Sequence, residues 1–274
     1  MAQQTETPTE YTMGYSDEFT QLLEWRRVED HAMHLLPHIE SGMRVLDFGC
    51  GPGTITVGLA EAAYPGEVHG IDMEESQIEL ARLAAADGGH DNITLHVGDV
   101  CEMPFEDNYF DIAHCHTVLM HVPDTQRALA EVKRVLKPGG IISARELITS
   151  SCFVEPEGET TPEAWRTFSK LLMANGGHPE MGRQLKSKMI EAGFSDIYGT
   201  GSFDYFSSEK EVAFLHKFVS DWFFMPRVVQ AAIQFGLATQ SQFDQWRIDM
   251  DELKDAPGAV GGLAFGEVIA QKPR

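Results

Sequence analysis

Residues 45–53 read Val-Leu-Asp-Phe-Gly-Cys-Gly-Pro-Gly, which puts three glycines at alternate positions, Gly49, Gly51 and Gly53, just after an aspartate, Asp47. Glycine removes the side chain where a backbone must bend sharply or lie close to a ligand. Asp47 adds a carboxylate at the lip of that bend, an acceptor for an ammonium group. A second acid, Asp72, closes the next apolar run about twenty residues on, the interval at which a carboxylate bonds the two hydroxyls of a ribose. Together these residues specify a nucleoside site. The spacing is G-x-G-x-G, not the G-x-G-x-x-G of a dinucleotide loop, and Asp47 would repel a pyrophosphate. An amino-acid-bearing nucleoside is therefore favoured over NAD, although a three-glycine loop taken alone also occurs in structural turns.

The elements that must hold these residues alternate at short period. Residues 43–48 form a strand-like run that breaks at the glycines, and a helix restarts over 54–63. Next come a strand over 67–71, a helix over 76–86 and strands over 93–97 and 110–115. A helix over 125–136, ended by Lys-Pro-Gly-Gly, leads to a strand over 141–147. Such alternation predicts an α/β protein, a doubly wound and mostly parallel sheet of seven strands with helices on both faces. Upstream, apolar positions recur at helical spacing over 16–39, and residues 1–15 form a polar tail or lid. Downstream, 155–162 reads as a loop, 163–174 and 181–192 as helices, and 196–206 as a strand. Helical segments at 208–223, 226–236 and 239–254 then precede a terminal strand over 263–270. The chain divides into a tail (1–15), a core (16–206), a helical cap inserted before the last strand (207–260) and that strand (261–274).

Composition narrows the partners. The 274 residues carry 42 acidic and 21 basic side chains, a formal net charge of −21, which repels a phosphate backbone and argues against nucleic acid. No run approaches the ~20 apolar residues of a membrane span, and the amino terminus lacks the basic-then-apolar order of a signal peptide. No membrane insertion and a cytoplasmic location are expected. The cysteines, Cys50, Cys101, Cys115 and Cys152, show no paired spacing and are read as free thiols.

The ordered motifs from about residue 44 to 141 resemble the class I S-adenosylmethionine-dependent methyltransferases, and within them the small-molecule group typified by ubiquinone and menaquinone biosynthesis. The 45–53 run looks like the family's cofactor loop, Gly70-Ile-Asp72 like its ribose-binding strand end, and Gly98-Asp99-Val100 like the segment that meets the adenine. Phe110 to Val122 resembles its fourth strand and the segment beside the methionine portion, and Leu136-Lys-Pro-Gly-Gly-Ile141 the turn into its fifth strand. The resemblance implies S-adenosyl-L-methionine as cofactor, held by Asp47, Gly49, Gly51, Asp72, Met73, Asp99 and Val100. Gln77 and Cys101 are expected beside them, His116 next to the methionine portion, and Tyr15, with Tyr11, closing over the site. It further implies a small-molecule acceptor methylated on carbon, oxygen or nitrogen. The alternatives are an NAD-dependent oxidoreductase and a non-catalytic relative that only binds the cofactor.

Methyl transfer is an in-line displacement that needs alignment and exclusion of water more than a base. Where a base is needed, His114, His116 and His121 are the candidates, since a histidine titrates near neutrality. Strand alternation puts His114 and His116 on one face; packing or a hydrogen bond to the cofactor competes with a catalytic role for His116, and a structural role for His121. The His114-x-His116 pair lacks further Cys or His ligands at a recognisable spacing, so no metal is expected. The aromatics Phe203, Tyr205, Phe206, Phe214, Phe218, Trp222, Phe223 and Phe224 would make an acceptor pocket partly hydrophobic or, more conventionally, fill a core. Trp222, Phe223 and Phe224 in succession are not expected all to point inward, which leaves room for a homodimer contact.

Overall fold

The computed structural model describes residues 23–274. Its first elements are a four-residue helix α1 (Val28–His31) and a 3-10 turn (Leu36–His38). The βα alternation then runs β1 (Val45–Phe48), α2 (Thr54–Ala63), β2 (Val68–Asp72), α3 (Glu75–Asp87), β3 (Ile93–Val97), β4 (Phe110–His116), α4 (Thr125–Val135) and β5 (Leu136–Leu147). The second half holds β6 (Phe153–Glu155), α5 (Thr161–Ala174), α6 (Met181–Glu191) and β7 (Ser195–Phe206). Helices α7 (Glu209–Phe223), α8 (Pro226–Gln234) and α9 (Gln240–Asp255) lead to β8 (Val260–Gln271).

One sheet of order β3-β2-β1-β4-β5-β8-β6, with β7 on the other edge of β8, holds the molecule together. The pairs among β1 to β5 are parallel, whereas β8 runs antiparallel to β5, β6 and β7. β1 lies between β2 and β4, where the winding reverses, and a crevice opens beyond the strand carboxyl ends at such a point. All four β1 residues are buried, as a strand covered on both faces requires. Helix α1, the segment that follows it and α2 cover one face through Val28, Leu35, Ile55 and Leu59; α4, α5, α6 and the inserted helices share the larger core on the other.

The mostly parallel α/β sheet agrees with the sequence reading, but it has eight strands, not seven. The additional one, β6, continues the edge of β8 beyond the last β5 pair, Leu147 with Phe265, by pairing Phe153 with Gly262. Three residues are too few to show an alternating pattern, and the sequence assigns no element to Phe153 and Val154 and puts Glu155 in a loop. Over 16–39 the described part holds Leu23 in a helical turn, then α1 and the 3-10 turn, and Val28, His31, Ala32 and Leu35 reach the core along this path. Trp25 fastens this path to the second half of the fold, its ring 4.9 Å from Phe214 and 5.8 Å from Phe206.

The inserted helices start where the sequence supplies capping boxes, Ser208 with Glu211 and Thr239 with Gln242, each satisfying donors that a helix start leaves open. Contrary to the expectation for Trp222, Phe223 and Phe224, all three are buried. Helix α7 ends at Phe223 and the chain turns into α8 at Pro226, so successive side chains are enclosed by α5, α8 and α9. Trp222 packs 4.6 Å from Phe168, and Phe224 against Phe243. Their burial removes the reason for assigning them to a dimer contact. Among the described residues no helix is long and apolar enough to cross a membrane.

Candidate active site

A cavity of about 270 Å³ opens across the carboxyl ends of β1 to β4. Its floor is the β1–α2 loop. Gly49, Gly51 and Gly53 all have positive φ, +71°, +53° and +80°, but their reasons for being glycine differ. A Cβ on Gly49 would run into Val118, and one on Gly53 would lie 2.7 Å from the Cβ of Ala81, so these two let the loop pack against β4's exit and α3. A Cβ on Gly51 would meet nothing closer than 3.9 Å; its missing side chain leaves open space above the loop, the cradle a nucleoside needs.

Carboxylates stand along one end. Asp72, at the tip of β2, accepts from the Gly51 N–H (2.9 Å) with one oxygen and from the Glu74 N–H (3.0 Å) with the other, which joins it rigidly to the glycine loop. Burial raises its carboxyl above the usual range. Asp47 is more enclosed, 3% exposed, and accepts from the Thr56 hydroxyl at 2.6 Å. Burial pushes it up to about 7, against the opposing hydrogen bond from Thr56. Asp99 lies past β3, where it accepts from the Cys101 N–H at 2.8 Å.

The structure brings Asp47, Gly49, Gly51, Asp72, Met73, Gln77, Asp99, Val100, Cys101, His116 and His121 to the wall of this one cavity. Met73 stands at the rim, 66% exposed. Tyr11 and Tyr15 lie outside the described residues. His114 is not on the wall: fully buried within β4, its Nδ1 lies 3.0 Å from the Ser143 hydroxyl, which in turn lies 2.9 Å from His34. Sequence reasoning misses Arg26, Thr117, Asn175 and Gly177, which also line the cavity. Thr117 lies within the 110–122 segment without being singled out there, and no motif announces the other three, which come from the leading segment and the end of α5. None of α7, α8 or α9 lines it; these helices rest on α5, whose end carries Asn175. Among the described residues no group of His, Cys, Asp and Glu could hold a metal ion.

Behind His116 lies a buried polar network. Its ring is 5.3 Å from that of His31, and Phe265 carries the Arg145 guanidinium 3.6 Å above its face. Arg145 donates to Asp204 at 2.6 Å and to Glu267 at 3.3 Å. Burial lowers every histidine of this region, His31 to about 4 and His34, His114, His116 and His121 in the same direction. These imidazoles stay neutral at physiological pH and make poor proton acceptors.

The same shifts fix an acid limb of stability. Each of the five histidines binds a proton more readily in the unfolded chain, so its contribution is complete above pH 6.5 and is lost as pH falls below it. Three carboxylates oppose this, Asp47 and Glu146, both raised to about 7, and Asp72, raised by burial; the folded state keeps protons there that the unfolded chain sheds. Five groups outweigh three, so unfolding free energy should climb between about pH 4.5 and 6.5, with His31 alone accounting for about 3 kcal/mol at full extent. Denaturant titrations at stepped pH check this, and a flat or falling profile over that window would contradict it.

Comparison with known proteins agrees with the geometry. A family model described as a methyltransferase domain matches residues 39–192. The chain is 31% identical over 208 residues to an uncharacterized methyltransferase of Schizosaccharomyces pombe, spanning 73% of this chain and 74% of that one. It is 31% identical over 193 residues to a demethylmenaquinone methyltransferase of Bacillus pumilus, spanning 65% and 80%. Among solved structures, phosphoethanolamine N-methyltransferase 2 of Haemonchus contortus in complex with S-adenosyl-L-methionine matches with a TM-score of 0.58 at 18% identity, covering 95% of this chain and 58% of that one; at that identity the likeness is one of fold. A domain match over more than half the chain, together with a relative aligned over nearly three quarters of it, places the protein in the class I S-adenosylmethionine-dependent methyltransferases, of the kind found in menaquinone biosynthesis.

Proposed function

We propose that this methyltransferase acts on a carbon, oxygen or nitrogen nucleophile of a small, partly hydrophobic or aromatic acceptor. One observation carries the reading: the cavity continues past the cofactor loop to a wall made by His116, Thr117, Val118, His121, Val122 and Pro123, apolar surface interrupted by neutral polar groups. When bound, S-adenosylmethionine supplies a methyl carbon on a sulfonium, which a nucleophile's lone pair takes as the carbon–sulfur pair returns to sulfur. Asp72 is assigned to the ribose hydroxyls, Asp47 to the ammonium, and Asp99, Val100 and Met73 to the adenine end. His116 and His121 shape the acceptor side; neither is assigned as a base, because burial disfavours the imidazolium each would become on taking a proton. Catalysis then rests on alignment and exclusion of water.

Within this reading residues 16–206 and 261–274 are the cofactor-binding core, and 207–260 supports the acceptor side indirectly through α5. The net charge of −21 suits a diffusible acceptor in the cytoplasm rather than a nucleic acid. Thermal protection by S-adenosylhomocysteine, then transfer of a labelled methyl group to a panel of phenols, enols and amines, tests the proposal; binding without transfer to any of them points to a cofactor-binding relative without catalysis. Asp72→Ala should weaken S-adenosylhomocysteine by about 1 to 3 kcal/mol through lost charge-assisted hydrogen bonds. Unchanged affinity in a folded variant, measured by calorimetry, would remove Asp72 from the site.

A further inference from the structure

Strand β7 leaves one edge of the sheet open. It pairs with β8 without a break from Tyr198 to Phe206, and among the described residues its other edge meets no strand and takes no backbone hydrogen bond. An edge of this length is a template for another strand, and natural sheets blunt it with lysine, proline or a charge. From 197 to 206 β7 has no lysine and no proline. Its one charge there, Asp204, is held by the Arg145 guanidinium at 2.6 Å.

The face of β7 opposite Ser202 and Asp204 carries Gly199, Gly201, Phe203 and Tyr205 in succession. Both rings are more than half exposed, 55% and 54%. Each lies 6.1 Å from the ring of Phe153, which covers Gly262 of β8. The two glycines have no explanation within one chain. Neither has a positive φ, and a Cβ on either would meet no side chain among the described residues. Its one neighbour within 4 Å would be the Glu267 carbonyl oxygen at 3.7 Å for Gly199 and the Phe265 carbonyl oxygen at 3.2 Å for Gly201. Glycine weakens a strand interior and marks a place where another group comes close.

We infer that two copies of this chain join along β7, paired antiparallel about a two-fold axis at Ser202. That centre makes the segment self-complementary. Ser202 faces its own copy, Gly201 faces the partner's Phe203, and Gly199 faces the partner's Tyr205. Opposed residues of an antiparallel pair share a face, so each ring lies over a glycine of the other copy, an arrangement that shields glycine in a sheet. No other two-fold register that keeps the faces aligned gives both rings a glycine. A contact of this kind uses the same patch twice and closes as a dimer. It lies beyond β5 and β8 from the cavity over β1 to β4, so the two cofactor sites stay separate. Each copy carries a formal charge of −21, a repulsion that salt screens, and the dimer should tighten as ionic strength rises.

Sedimentation of the full chain between about 1 and 100 µM reads the assembly, and cysteine cross-linking reads its register. Wild type should sediment as a dimer within that range. The double variant Phe203→Lys with Tyr205→Lys puts two lysines at exposed edge positions and should weaken the dimer about a hundredfold or more. Its melting temperature and its affinity for S-adenosylhomocysteine should match wild type. Under mild oxidation Ser202→Cys should cross-link to itself. Gly199→Cys should cross-link to Tyr205→Cys when the two are mixed, and neither should do so alone. Wild type oxidised in parallel controls for Cys101 and Cys152, which are partly exposed. A wild type that stays monomeric to about 100 µM overturns the inference. So does a dimer that survives both lysines, or one in which neither cross-link forms, since either result puts the contact on another surface.

Discussion

Affinity for S-adenosylhomocysteine should fall about tenfold for each pH unit below about 7, and Asp47→Asn should both weaken binding above pH 7 and remove Asp47's share of that dependence. The cause is the burial of Asp47 at the end of β1, 3% exposed, which pushes its carboxyl up to about 7. An ammonium needs the ionised acid. Where Asp47 is protonated, binding must expel one proton, and the free energy of that expulsion grows by about 1.36 kcal/mol per unit as pH falls. Above pH 7 the carboxylate is already charged and the slope vanishes. His116 and His121 do not confuse the measurement, since burial has already made both neutral at these pH values. Asp72, also raised by burial, adds a dependence of its own, and Asp47→Asn separates the two by leaving only that residue. The variant keeps an acceptor for the Thr56 hydroxyl, so it should fold, with affinity above pH 7 reduced by about 2 to 3 kcal/mol. Calorimetry between about pH 5 and 8 in buffers of different ionisation enthalpy reads both affinity and protons released. An affinity independent of pH, with no proton exchanged, would dissociate Asp47 from the ammonium.

How far the site can be read from the sequence depends on whether its residues sit at strand ends. Asp47, Asp72 and Asp99 close or succeed apolar runs, and a parallel sheet collects such ends on one edge, so they are legible in the sequence. The division of labour among the glycines is not. Gly49 is glycine because of Val118, and Gly53 because of Ala81, neighbours supplied by the fold and invisible in a local pattern. His114 shows the same limit from the other side: it is fully buried beside Ser143 and His34 and does not reach the cavity, which strand alternation alone does not reveal. Trp222 to Phe224 mislead because helical periodicity does not extend past the helix end, where a chain turn can enclose three successive side chains. Glu146 lies outside any motif; it matters through the neighbours that the tertiary structure places beside it.

Glu146 carries the second large expectation. It is fully buried in β5, and its carboxylate accepts from three successive backbone N–H groups, Val118 at 3.0 Å, Leu119 at 2.8 Å and Met120 at 3.2 Å. Those groups belong to the turn that leaves β4, which opens with Thr117 at φ +54° and carries the cavity wall as far as His121. A β-branched residue in the left-handed region is costly unless its surroundings hold it there, and the Glu146 nest supplies that restraint. Burial nonetheless raises this carboxyl to about 7 against its three hydrogen bonds, so removing it also relieves a desolvation cost. Three orphaned donors and a cavity outweigh that relief, and Glu146→Ala should lose about 3 to 5 kcal/mol of stability. In a chain of this length that lowers the melting temperature by about 6 to 20 °C. Glu146→Gln keeps a carbonyl oxygen for two of the donors and should recover more than half of the loss. Because Val118 presses directly on Gly49, the loosened turn should also weaken S-adenosylhomocysteine at temperatures where Glu146→Ala is still folded, an effect a distant core cavity would not produce. Stability within about 1 kcal/mol of wild type, or a destabilised variant with undiminished affinity, would show that the turn keeps its shape without the carboxylate.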